Sequence, residues 1–75
     1  MLITIVQTDN IDSDLETLDT VLCTLECFPG NEEVRLKIVD QWYEITLLKL
    51  PQKVDAESVD LIELLFSIDN IEIEL

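Results

Sequence analysis

Cys23 and Cys27 are the side chains in this sequence best suited to covalent chemistry. They are four residues apart, so a helix would place both thiols on one face, together with nearby acids. No base or histidine stands beside either thiol, and the surrounding carboxylates disfavour the reactive thiolate. A structural zinc site would need two further ligands, which the sequence does not place nearby. We therefore expect an exposed pair of inert thiols, or a pair covered by a protein contact.

The segment from Asp9 to Asp14 carries the spaced oxygen ligands of a calcium-binding loop. Aligned on an EF-hand, however, Leu15 takes the position that needs glycine, and Val21 takes that of the bidentate glutamate. We therefore interpret the segment as the start of a helix, with Asp12 as the N-cap. Carboxylates in the first turn are favourable there because they complement the helix dipole.

Other catalytic patterns are missing from the sequence. It contains no histidine, no glycine-rich phosphate loop, and no serine or cysteine beside a base. We expect no catalytic residues, no metal site and no cofactor, and hence a protein that is not an enzyme.

The net charge of the chain restricts the classes of partner that it can bind. The 75 residues include 17 acids and four bases, for a net charge of −13. Phosphate backbones and anionic membranes repel such a chain, so we expect neither nucleic acid nor membrane as a partner, and a protein instead. The chain has no apolar run near the roughly 20 residues of a membrane span. Its start lacks the basic region of a signal peptide, and both points predict a cytoplasmic protein.

Hydrophobic periodicity predicts a single α+β domain over residues 1–75, with elements in the order β-α-β-β-α-β. The predicted elements are a strand at Ile3–Val6, a helix at Ser13–Cys27 stopped by Pro29-Gly30, a strand around Val34–Ile38, a hairpin turn at Asp40-Gln41, a return strand ended by Pro51, a helix capped by Asp55, a turn at Asp69-Asn70 and a strand at Ile71–Leu75. This order is typical of a ferredoxin-like sandwich, in which two helices cover one face of a four-stranded antiparallel sheet.

Alternation along the strands divides the side chains between two faces. The predicted inward set is Ile3, Ile5, Val34, Leu36, Ile38, Tyr43, Ile45, Leu47, Ile71 and Ile73. The other face is too apolar for a solvated surface, with Trp42 as its main anchor and a basic strip beside Glu72 and Glu74. We expect it to form an interface, as in a homodimer, through Val6, Arg35, Lys37, Val39, Trp42 and Leu48.

Three segments resemble a known family. Leu22–Leu36 has a leucine-rich helix, the turn Phe28-Pro29-Gly30 and a strand start, and Val54–Ser58 and Asn70–Ile73 follow later. Together they resemble the far C-terminal domain of the bacterial replicative DNA polymerase III alpha subunit. The resemblance implies a stand-alone protein-interaction module related to the part of that subunit that faces the clamp loader.

The sequence thus predicts a small, non-catalytic protein-interaction module. An alternative is an acidic nucleic-acid mimic that occupies a nucleic-acid-binding protein by presenting carboxylates in place of phosphates. A small enzyme or a cation-binding protein is a third class.

Overall fold

Two helices pack on one face of a four-stranded sheet in the computed structural model, which describes all 75 residues. Runs of alternating aliphatic residues form the strands, and leucine-rich segments of helical period form the helices. The elements are, in order, β1 Leu2–Val6, α1 Ile11–Glu26, β2 Pro29–Val39, β3 Ile45–Val54, α2 Val59–Phe66 and β4 Ile71–Glu74. The predicted α+β class and the β-α-β-β-α-β order are confirmed. Neither helix is long and apolar enough to cross a membrane.

The sheet is mixed rather than fully antiparallel, which corrects the prediction. Its strands lie in the order β3-β2-β1-β4, and the central strands β1 and β2 run parallel. β3 is antiparallel to β2, and β4 is antiparallel to β1. β1, α1 and β2 therefore form a β-α-β unit whose strands are direct neighbours, not the split unit of a ferredoxin-like sheet. Alternation determines the face that a side chain occupies but not the neighbouring strand, so the sequence pattern suits both arrangements.

A single aliphatic core lies between the helices and the sheet. Nine of the 75 residues are buried, and none of them is polar. The core residues are Val21 and Leu25 of α1, Leu61 and Leu65 of α2, and Ile3, Ile5, Val34, Leu36 and Val54 of the sheet. Four of the predicted inward residues are in this set, and Ile38, Ile71 and Ile73 pack against it half-buried.

α1 begins earlier than the sequence predicts, because Asn10 is its N-cap rather than Asp12. The Asn10 Oδ1 atom accepts a hydrogen bond from the backbone N–H of Ser13 at 3.1 Å. Asp14 accepts from both the backbone N–H and the hydroxyl of Thr8, at 3.0 and 2.8 Å. These bonds close the loop between β1 and α1, while Asp12 stays exposed in the first turn.

α2 has a different cap from the one predicted. The Ser58 hydroxyl accepts from the backbone N–H of Leu61 at 3.3 Å. The predicted cap, Asp55, instead accepts from the backbone N–H of Glu57 at 3.2 Å, in the turn before the helix. Serine and aspartate are both favoured N-caps, so residue type alone does not decide between Ser58 and Asp55.

The hairpin between β2 and β3 has a three-residue loop, Gln41 to Tyr43, instead of the predicted two-residue turn. Asp40 organises this loop: its Oδ1 atom accepts from the backbone N–H groups of Trp42 and Glu44, both at 2.9 Å. The Asp40 N–H in turn donates to the Glu44 carbonyl at 3.0 Å. Tyr43 has a φ of 62°, the left-handed conformation with which such loops close.

The extra loop residue reverses the facing of the side chains in β3. Directly paired residues share a face, and the pairs are Val39 with Ile45, Lys37 with Leu47, and Leu36 with Leu48. Ile45 and Leu47 therefore point away from the helices, and Leu48 lies on the helix side. The predicted inward positions of Tyr43, Ile45 and Leu47 are wrong, and Tyr43 is 86% exposed in the loop.

β3 passes through Pro51 and ends at Val54, so the proline does not terminate the strand as predicted. β3 is an edge strand with β2 as its one neighbour. The pairing register shifts between Glu33 and Arg35, close to the proline. Proline is tolerated at such positions because an edge strand has N–H groups without a ladder partner.

Gly30 allows the start of β2 to lie against the end of β3. The backbone N–H of Asp55 donates to the Phe28 carbonyl at 2.9 Å, which holds the two segments together. A Cβ atom at Gly30 would lie 2.4 Å from the Asp55 nitrogen and 2.5 Å from the Val54 carbonyl. Only glycine fits at this distance without moving backbone.

We expect Gly30→Ala to lower the free energy of unfolding by about 2 kcal/mol, because the added methyl group forces two backbone segments apart. Urea unfolding followed by circular dichroism would measure this. Asn31→Ala, at the exposed neighbouring position, is the control and should change stability little. Equal stability of the two variants would contradict the tight contact.

Candidate functional site

The sheet face away from the helices is uncovered, and we call it the open sheet face. Cross-strand pairing arranges its side chains in three rows that run from β3 to β4. The rows are Lys49-Arg35-Leu2-Glu74, then Leu47-Lys37-Thr4-Glu72, then Ile45-Val39-Val6. The face is thus basic towards β2 and β3, uncharged along β1 and acidic along β4.

Four of the six predicted interface residues lie together on this face, namely Val6, Arg35, Lys37 and Val39. The other two do not. Leu48 is on the helix side, paired with the buried Leu36, and Trp42 lies in the hairpin loop. The prediction missed Ile45, Leu47 and Lys49, because the sequence carries no signal that tyrosine would adopt the left-handed conformation after Asp40.

Charges on the open sheet face are largely unpaired. Lys49 Nζ lies 3.1 Å from Glu33 Oε1, and this hydrogen bond and the lysine's charge lower the pKa of Glu33. Arg35 stands directly opposite Lys49, where like charges repel. The one other ion pair in the structure joins the Met1 amino group to Glu32, so Arg35, Lys37 and the two β4 glutamates have no ionic partner.

A second surface, which we call the apolar cleft, lies on the helix side between α1 and the β2–β3 loop. It has a volume of about 410 Å³. Ile5 and Ile38 are among its lining residues from the sheet, and Ile11, Leu15, Leu18 and Trp42 line it from α1 and the loop. Trp42 is 78% exposed, Ile11 73% and Leu15 59%. Ile11 and Leu15, in the first half of α1, thus border the cleft instead of entering the core.

Hydrogen bonds between loops hold the cleft in shape. Gln41 Nε2 donates to the Thr8 carbonyl at 2.8 Å, which ties the hairpin loop to the loop before α1. Thr8 is in turn bonded to the Asp14 carboxylate on α1. Both walls of the cleft are therefore connected through Thr8.

Cys23 and Cys27 are free and exposed, which confirms the predicted accessibility of the pair. Cys23 Sγ lies 3.9 Å from Asp19 Oδ1. The negative charge of Asp19, followed by desolvation and the charge of Glu26, raises the pKa of the Cys23 thiol. The thiolate is disfavoured at neutral pH, as the sequence predicted. No group of three or more histidine, cysteine, aspartate or glutamate side chains is placed to hold a metal ion.

Comparisons with protein-family models, with curated proteins and with solved structures find no match. The resemblance to the polymerase C-terminal domain stays a hypothesis. Two of its segments meet in the fold, since Phe28 and Gly30 lie against Val54 and Asp55. The contact gives these residues a structural role at the junction of β2 and β3.

Cys23 should react slowly with a disulfide reagent such as Ellman's reagent, because its raised pKa leaves a smaller thiolate fraction at a given pH. In a Cys27→Ser background, Asp19→Asn should speed the reaction by lowering the pKa. The pH profile of the rate would measure this. Asp12→Asn, in the first turn of the same helix, is the control and should leave the rate unchanged; an equal effect of both variants would refute a local cause.

Proposed function

We propose that this protein is a non-catalytic interaction module that self-associates through its open sheet face. The observation that carries the proposal is the order of charges across the sheet. Arg35, Leu2 and Glu74 form one row, and Lys37, Thr4 and Glu72 form the next. Basic and acidic residues thus flank β1 at matching heights, and none of the four charges has an ionic partner within the chain.

A two-fold axis that runs parallel to β1, between two facing open sheet faces, would satisfy all four charges. Rotation about this axis places β2 of one copy over β4 of the other, so that Arg35 faces Glu74 and Lys37 faces Glu72 of the second copy. β1 then stacks on itself, with Leu2, Thr4 and Val6 at the centre. Sheets pack about 10 Å apart and twist by about 30°, so contacts are best near the axis, within one strand spacing of β1.

Within one chain the same charges form no ion pair. β2 and β4 are separated by two strand spacings, or about 9–10 Å, which is close to the Debye length at physiological salt. Facing copies would bring each pair together and would also relieve the repulsion between Arg35 and Lys49.

Exposed apolar area also supports an interaction role. Twelve large hydrophobic side chains are exposed, compared with nine residues in the core. Val6, at the centre of the proposed contact, belongs to the exposed group. A domain of this size buries only about 60% of its unfolded surface, so covering such a face adds stability that the core does not supply.

The family resemblance fits the same proposal. A relative of a replicative polymerase C-terminal domain would act by binding protein, and the fold provides two uncovered surfaces for it.

Glu72→Lys should raise the dimer dissociation constant at least about tenfold, or about 1.4 kcal/mol, because it brings two lysines face to face. The substitution also lowers the net negative charge, which by itself would favour association. Lys37→Glu should weaken the dimer as well, and the double variant Lys37→Glu/Glu72→Lys should restore it with the net charge unchanged. Sedimentation equilibrium would measure each dissociation constant.

Glu63→Lys, an equal charge change on the exposed side of α2, is the matched control and should not weaken the dimer. Circular dichroism would verify that each variant is folded. A monomeric wild type at millimolar concentration, or a Glu72→Lys variant that associates more tightly, would refute the proposed geometry.

Charge segregation favours a second candidate, the acidic nucleic-acid mimic. All four bases lie in β2 and β3, so both helices are entirely without bases. If the acidic surface of the two helices takes the place of a phosphate backbone, the protein should displace labelled duplex DNA from a basic DNA-binding protein. The displacement should weaken steeply as the salt concentration rises. Displacement that is no stronger than that by polyglutamate of equal charge would reject the mimic.

A further inference from the structure

The apolar cleft is a preformed site that neither the self-association nor the acidic surface accounts for. It lies on the helix side, whereas the open sheet face is on the opposite side of the sheet. Its three most exposed apolar side chains, Ile11, Leu15 and Trp42, come from two separate elements. An exposed tryptophan beside two exposed aliphatic residues is the composition of an interface anchor pocket.

The charges around the cleft identify the chemistry of its occupant. Its lining includes Asp9 and Asp14 and no base. Asp14 is already bonded to Thr8, but the carboxylate of Asp9 forms no hydrogen bond or ion pair. Asp12 and Glu16, on the first turns of α1, are exposed and unpaired too. An anionic occupant would therefore meet several uncompensated like charges, while a cationic one would be attracted.

From these observations we infer that the apolar cleft binds a basic protein segment that inserts a bulky apolar side chain. The side chain would lie between Leu15 and Trp42, over Ile5 and Ile38. Lysine or arginine residues flanking it would contact Asp9, Asp12 and Glu16. The bond from Gln41 to Thr8 fixes the hairpin loop relative to α1, so the cleft needs little ordering when the segment binds.

Trp42 makes this inference directly measurable, because it is the one tryptophan in the chain. The probe is a capped octapeptide with two central leucines, flanked on each side by two lysines and a terminal glycine. Its titration should shift Trp42 emission to shorter wavelength with a saturable dissociation constant, since the indole leaves water. The same peptide with glutamate in place of lysine should bind at least about tenfold more weakly.

One peptide variant and three protein variants separate cleft binding from general attraction to an acidic protein. Replacing the two leucines by serine should weaken binding about tenfold or more, because apolar contact is lost. Leu15→Ser in the protein should have a similar effect, whereas Val59→Ser, an equally exposed apolar position on α2 outside the cleft, should have none. Asp9→Asn, which retains all apolar lining, should weaken binding of the lysine peptide that carries leucines. It should not change the residual binding of the lysine peptide that carries serines, because that peptide binds at other sites.

A variant of the open sheet face distinguishes peptide binding in the apolar cleft from dimerisation. Lys37→Glu should leave peptide binding intact, because Lys37 lies on the opposite face. The inference is overturned if Leu15→Ser binds as tightly as wild type, if the glutamate peptide binds equally well, or if removing the leucines from the peptide has no effect. Far-UV circular dichroism of Leu15→Ser would verify its fold, and Asp9→Asn provides an independent test if that variant unfolds.

Discussion

The two hydrogen bonds that the Asp40 carboxylate accepts from the N–H groups of Trp42 and Glu44 organise the hairpin loop from which β3 takes its register. They stabilise a loop of three residues, and an odd loop reverses the facing of the following strand relative to an even one. As a result Leu47 and Lys49 join the open sheet face, and Trp42 is left in the loop beside α1. Both candidate surfaces depend on this arrangement.

A small core leaves both of these surfaces without a covering element. The nine buried residues connect α1 and α2 to β1, β2 and the end of β3. The first turns of α1 and the tip of the hairpin extend beyond this core, which is why Leu15 and Trp42 remain exposed. The two surfaces lie on opposite sides of the sheet, so a dimer contact on one would leave the other accessible.

The charges are divided between the helix side and the open sheet face. Bases occur only in β2 and β3, and the helix side carries acids without bases. The open sheet face is therefore the one surface where both signs meet, which suits contact between identical copies. The cleft, in contrast, has a single sign of charge and suits a partner of different composition.

Much of the fold is already contained in the local sequence. The hydrophobic period identified both helices, the order of all six elements and seven of the sheet residues in or against the core, because burial of one face imposes that period on each element. Net charge and the exposed cysteines followed from composition and helical spacing. The parallel pairing of β1 with β2 could not be predicted, since alternation is the same whichever strand lies alongside. The position of Trp42 was decided by the left-handed Tyr43, a conformation that costs energy in isolation and is held here by the bonds of the surrounding loop.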